Sequence, residues 1–162
     1  MANKDFRELT PEEVLMLAID VEESNGTRLR AFAGLFADHA PEAAALFSEM
    51  ADEEDEHRRV LEGAFRERHG ELRRTIREDD VPEVVEAADL DDAEHQVFDT
   101  LSLRRALELV RSAELHAQDF YRRALENTDV PELQALFREL SEFEDGHVQQ
   151  IEARLEALGG ST

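Results

Sequence analysis

Apolar residues recur along four long stretches of the chain at alternating spacings of three and four, as in helices with one buried face. The inward stripe of the first stretch reads Leu15, Ala18, Glu22, Asn25, Leu29, Phe32, Phe36. The second reads Phe47, Met50, Glu54, His57, Leu61, Ala64, and the third Leu103, Leu107, Val110, Glu114, Ala117, Tyr121, Ala124. The fourth reads Leu133, Phe137, Leu140, Glu144, His147, Ile151. No segment shows the period-two alternation of a half-buried strand. Each stripe is apolar until mid-helix, where it carries one glutamate. In the second and fourth a histidine follows at the next inward position.

End signals set the expected boundaries. Thr10-Pro11-Glu12-Glu13 forms a capping box with proline at the first helical position, which starts helix one; it runs to about residue 38. Helix two restarts at Pro41 and runs to about 69, before Gly70. Helix three covers roughly 101–126, and helix four runs from Pro131 to about 158, ahead of Gly159-Gly160. The short joints near 39–40 and 127–130 make antiparallel hairpins. Residues 70–100 between the hairpins are acidic, hold a possible short helix at 82–88, and are long enough to cross a bundle. The predicted fold class is all-α: a four-helix bundle of two antiparallel hairpins joined by a long crossover, in one domain over residues 1–162.

The hairpins repeat one another. Offset by 90 residues, Phe47, Glu49, Glu54, Asp55, His57 and Glu62 fall on Phe137, Glu139, Glu144, Asp145, His147 and Glu152. Helices one and three match at an offset of 92, pairing Glu22 with Glu114 and Leu15 with Leu107. Such a repeat places two similar helix pairs about a pseudo-twofold axis.

Composition narrows the chemistry. With 41% hydrophobic and 36% charged residues the chain reads as soluble and globular. No apolar run has the length of a membrane span, and the N-terminus lacks a signal-peptide stretch, so a cytoplasmic protein is expected. The formal charge of −22 argues against nucleic acid and anionic membranes as partners. There is no cysteine, which excludes disulfides, thiolate zinc sites and iron–sulfur clusters. Any metal must be held by carboxylate and imidazole, ligands that suit iron, manganese or zinc.

Four ionised carboxylates in one layer of a core would cost several kcal/mol each unless paired. Two divalent cations balance four glutamates, and neutral histidines complete the coordination without adding charge. Glu-x-x-His places both side chains on one helical face, one turn apart, so both can reach one ion. Glu22 and Glu54 lie about 18 and 14 residues from the first turn, and Glu114 and Glu144 each about 15 from the second. At ~1.5 Å per residue the four carboxylates share a level to within a turn. The candidate metal ligands are therefore Glu22, Glu54, His57, Glu114, Glu144 and His147.

These residues resemble the rubrerythrin branch of the ferritin-like superfamily, over all four helices. The paired Glu-x-x-His motifs at 54–57 and 144–147 carry the resemblance. It implies a carboxylate-bridged centre of two iron ions that reacts with oxygen or hydrogen peroxide, as ferroxidase or peroxidase, fed by an external electron donor. By position Glu54 and Glu144 look like the bridging ligands, with Glu22 and Glu114 terminal. Tyr121, seven residues after Glu114, resembles the family's tyrosine near the metals and is the candidate catalytic side chain. The chain departs from the family in three ways. It has no cysteine-bound rubredoxin domain, no extra glutamate three residues from Glu114 (Arg111 and Ala117 stand there), and Leu29 at the other tyrosine position.

Two other readings share the pattern: the same ligands holding manganese or zinc, and a non-catalytic acidic bundle that binds a partner. Asn25, one turn from Glu22, is either a supporting donor or a plain core polar group. His39, His69, His95 and His116 fall on turns, the crossover or outer faces, and Met16 and Met50 read as core. Apolar flanks such as Phe6, Val84 and Val85 suggest a homodimer.

Overall fold

The computed structural model describes residues 5–81 and 102–159. Among the described residues four α-helices make up the fold: α1 (Pro11–Phe36), α2 (Pro41–His69), α3 (Leu103–Asn127) and α4 (Pro131–Gly159). Among the described residues there is no strand, and no helix is long and apolar enough to cross a membrane. The expected short helix at 82–88, Val84 and Val85, and most of the crossover lie outside the described residues.

The capping signals act as the sequence predicts. Thr10 Oγ1 accepts from the Glu13 amide and Glu13 Oε1 from the Thr10 amide, both at 3.1 Å, closing the capping box of α1. α1 stops at Phe36, two residues short of expectation. Ala40, immediately before Pro41, is held out of helical conformation (φ −144°, ψ 68°), so the chain needs those residues to turn. α3 starts at Leu103 because Ser102 caps it, its hydroxyl accepting from the Arg105 amide at 3.1 Å. α2 ends at Gly70, whose φ of 82° suits a residue without a Cβ.

α1 packs antiparallel on α2 and α3 on α4; α1 also lies against α3, and α2 meets α4 more sparsely. The inward stripes are buried as predicted, except that Ala64 and Leu103 are only half-buried. The apolar core divides into two clusters. One gathers Leu15, Leu61, Phe65, Tyr121, Phe137 and their neighbours, and the other Leu29, Phe32, Phe47, Leu107, Ile151 and theirs. Between them lies the layer of glutamates and histidines. Each cluster draws on all four helices, which fixes the helices in register on both sides of that layer.

The first half of α1 is buried more widely than a single stripe, with Val14 to Ile19 all buried. Its second face is covered by residues 72–81, where Ile76 and Val81 join the core. Polar ties fix this cover: the Thr75 hydroxyl donates to Met16 sulfur (3.4 Å), the Glu78 amide to Asp20 (3.1 Å) and the Ser24 hydroxyl to Glu78 (3.1 Å), and Arg74 pairs with Glu23. The crossover thus starts along the outside of α1, from beside Met16 at Thr75 to beside Ser24 at Glu78. Phe6 does not serve as an exposed flank for pairing; it is buried against Phe120, ring centroids 5.5 Å apart.

Candidate metal centre

All six residues singled out from the stripes converge in the polar layer between the apolar clusters. Glu22, Glu54 and Glu144 are completely buried, and Glu114, His57 and His147 nearly so. Their donor atoms form two overlapping sets. Glu22, Glu54, His57 and Glu144 offer one ligand atom each within 4.8 Å of one another, and so do Glu54, Glu114, Glu144 and His147. Glu54 and Glu144 belong to both. They occupy equivalent positions of the two hairpins, so the sharing follows from the repeat.

Hydrogen bonding leaves this layer incomplete. Glu22 Oε2, both carboxylate oxygens of Glu54, both of Glu144 and His57 Nδ1 are buried without a hydrogen-bond partner. Each such group carries its full desolvation cost, and ionised carboxylates carry the most. A cation among them removes that cost, so the donor set fits metal ions. The His57 Nδ1 atom faces Glu22 Oε2 at 3.7 Å and Glu144 Oε1 at 3.8 Å. His147 Nδ1 faces Glu54 Oε1 at 3.1 Å, Glu114 Oε2 at 3.4 Å and Glu144 Oε2 at 3.6 Å. Both imidazoles aim the same nitrogen inward.

Without a cation the layer holds protons instead. Burial, with Glu114 and Glu22 nearby, pushes the Glu54 carboxyl well above the ordinary range. Glu114 is also raised by burial, partly offset by His147. Burial opposes ionisation of Glu22 too, but contacts with Glu54, His57 and Tyr121 outweigh it and hold this carboxyl lower than usual. For His147 burial works against the charged form, yet Glu114 and Glu54 prevail and raise it to about 11. The metal-free layer is a proton-sharing cluster around His147.

A model of the Rubrerythrin family matches residues 13–155 of the sequence, which takes in every one of these positions. The chain belongs to the rubrerythrin family. This is a ferritin-like family of di-iron proteins, and the buried glutamate–histidine layer of the present chain can bind a metal. A hypothetical protein from Pyrococcus furiosus has a similar fold, with a TM-score of 0.72 at 18% identity over 94% of this chain and 92% of its own. No curated protein matches the sequence.

Around this rubrerythrin-family layer stand three further side chains. Tyr121, completely buried and flanked by Phe120 and Phe137, donates its hydroxyl to Glu22 Oε1 at 2.5 Å. Burial, reinforced by Glu22, keeps this phenol well above its ordinary pKa and therefore protonated. Asn25 is buried with its Oδ1 accepting from Arg28 at 3.1 Å, so it supports an arginine rather than Glu22. Glu53 is the residue that a one-position error in register would put in place of Glu54; Glu54 is the one buried in the layer, and Glu53 Oε2 sits 2.6 Å from His147 Nε2. A polar residue flanking a ligand position was its only signal in the sequence. Of the other histidines, His39 and His69 are exposed and His116 half-buried, all away from the layer; His95 lies outside the described residues.

Proposed function

We propose that the chain is a di-iron carboxylate oxidoreductase that oxidises Fe(II) or reduces oxygen or hydrogen peroxide. In this reading Glu22, Glu54, His57 and Glu144 hold one iron, and Glu54, Glu114, Glu144 and His147 hold the other. Glu54 and Glu144, which belong to both groups, would serve both ions. The observation that carries the reading is the set of five buried carboxylate oxygens without hydrogen-bond partners, in two ligand groups that overlap at those two glutamates.

A bound pair of Fe(II) ions supplies two electrons, one from each, to the oxidant. The protein's own residues do the rest. The four glutamates balance the charge of two divalent ions, and the two histidines add neutral donors. Tyr121 acts through Glu22: its hydroxyl fixes that carboxylate and keeps a proton next to the centre. The apolar clusters above and below keep bulk water out and confine reactive species. Reduction of the spent centre falls to an external donor, because the chain has no cysteine with which to build a thiolate-bound iron.

Fe(II) titrated into metal-free protein under air should produce a ligand-to-metal absorption band that saturates at about two irons per chain. Replacing both Glu54 and Glu144 by Ala should abolish it. A silent titration, or a band that survives the double replacement, overturns the proposal.

A further inference from the structure

The ligand pattern is nearly symmetric about the pseudo-twofold axis, but the groups that hold the two histidines are not. On the inner side both rings present Nδ1 to the glutamates. On the outer side His147 Nε2 meets Glu53 Oε2 at 2.6 Å. A carboxylate accepts, so Nε2 holds its proton, and the proton that a cation displaces is the one on Nδ1, whose lone pair then faces the ion. At the offset of 90 residues that superposes the hairpins, the counterpart of Glu53 is Phe143. Phe143 touches the His57 ring edge-on, centroids 4.6 Å apart, and offers it no acceptor. The glutamates differ too. Tyr121 donates to Glu22 at 2.5 Å, whereas Leu29 stands at the matching position on α1.

These contacts push in one direction. A carboxylate accepting from the outer N–H fixes the imidazole's tautomer and angle, raises its donor strength, and adds negative charge near the ion. A phenol donating to a carboxylate draws charge away from it and weakens it as a ligand. The first effect strengthens the set that contains His147, and the second weakens the set that contains Glu22 and His57. We propose that the centre is built unequal: the set Glu54, Glu114, Glu144 and His147 binds a divalent cation first and more tightly, with Glu53 as the positioning residue for His147. The second set, supported by Phe143 instead, is the exchangeable one. This rests on the two-metal reading above.

The test is an anaerobic titration of Co(II) into metal-free protein, followed by visible absorption and by paramagnetic proton NMR. Repulsion between two cations would split even equal sites into two steps, so the order of filling decides. The first equivalent should bring up one shifted, slowly exchanging imidazole N–H signal, that of His147, shielded by its bond to Glu53. The His57 signals should follow with the second equivalent. Glu53→Gln should weaken the first step about 10- to 100-fold, the effect of removing a charged partner from a ligating histidine. It should leave the second step nearly unchanged and speed exchange of the N–H signal. Phe143→Glu should strengthen the second step. Glu53 is a third exposed and Phe143 nearly half, so both variants should fold, and circular dichroism checks this. His57 and His147 signals growing together, or Glu53→Gln leaving the first step unchanged, overturns the inference while the two-metal reading stands. No Co(II) binding at all overturns both.

Discussion

The hairpin α1–α2 and the hairpin α3–α4 carry the same candidate ligands and surround them differently. Each supplies a glutamate from its first helix and Glu-x-x-His from its second, and these meet at one level. In the first hairpin, α1 is buried on two faces, because residues 72–81 lie over Val14 to Ile19. In the second, α3 also buries Leu109, Ala113 and Phe120 beside its stripe, with Phe6 against Phe120, but nothing among the described residues lies along it as 72–81 lie along α1. The supporting side chains diverge as well: Tyr121 on α3 answers to Leu29 on α1, and Glu53 on α2 to Phe143 on α4. In the two-metal reading the glutamate–histidine set answers to charge balance, which demands the same groups from both halves. Packing makes no such demand, so the two halves can be covered and propped in different ways.

The largest effect should come from the feature the hairpins share. A cation bound only by the folded chain stabilises it by ~2.7 kcal/mol at a hundredfold excess over Kd, so two sites together give roughly 5 kcal/mol. Adding Fe(II) or Zn(II) under anaerobic conditions should therefore raise Tm, and a chelator should reverse the rise. In the Glu54→Gln, Glu144→Gln double variant the metal should no longer shift Tm. The metal-free double variant should melt at or above the metal-free parent, since it removes two buried carboxylates that have no hydrogen-bond partners. A double variant that keeps the metal-dependent rise would break the comparison at its base.

Next in size is the cover on α1. Ile76→Ala should cost about 2–4 kcal/mol by opening a cavity in the core. Amide exchange should accelerate first over residues 14–21, with α3 retaining its protection. Equal loss in both hairpins would mean that the 72–81 segment stabilises the bundle as a whole.

Tyr121→Phe should cost about 1–3 kcal/mol, because it leaves Glu22 Oε1 without its donor in a dry core. Urea denaturation of the metal-free protein measures it. A neutral result would mean that Glu22 finds another partner.

The pH dependence separates the hairpins through one histidine. His147 is raised from 6.5 to about 11 by Glu114 and Glu54 against the cost of burial. A raised folded-state value stabilises the metal-free fold fully below about pH 6.5, and this contribution is lost as pH climbs toward 11. Metal binding must expel the Nδ1 proton, so its affinity runs the opposite way and increases with pH through the same window. Calorimetry at pH 7 in buffers of different ionisation enthalpy should register proton release on binding. No release would contradict the proton-sharing account of the empty layer.

Much of this was legible in the sequence, for a definite reason. Four long helices with alternating stripes leave little freedom in register, so an inward glutamate at mid-helix has to enter the core, and the four glutamates and two histidines of the stripes met there. The cover on α1 was less legible. The unbroken apolar run from Val14 to Ile19 signals burial on more than one face, but it does not say which segment supplies the cover. Glu53 was legible only as a substitute for Glu54 under a shifted register; its contact with His147 was not, because it depends on the rotamer of a histidine on another helix. Phe6 misled: an apolar residue near the start of the chain looks like a loose flank, yet it folds back under α3.

The central claim is that two metal ions lie between the hairpins and share Glu54 and Glu144. An anomalous difference map at the iron edge, from crystals grown with Fe(II) without oxygen, tests it most directly. Two peaks per chain are predicted, one beside His57 and one beside His147, with both bridging glutamates between them. A single peak outside the layer, or a glutamate–histidine cluster without density in iron-saturated crystals, would contradict the account.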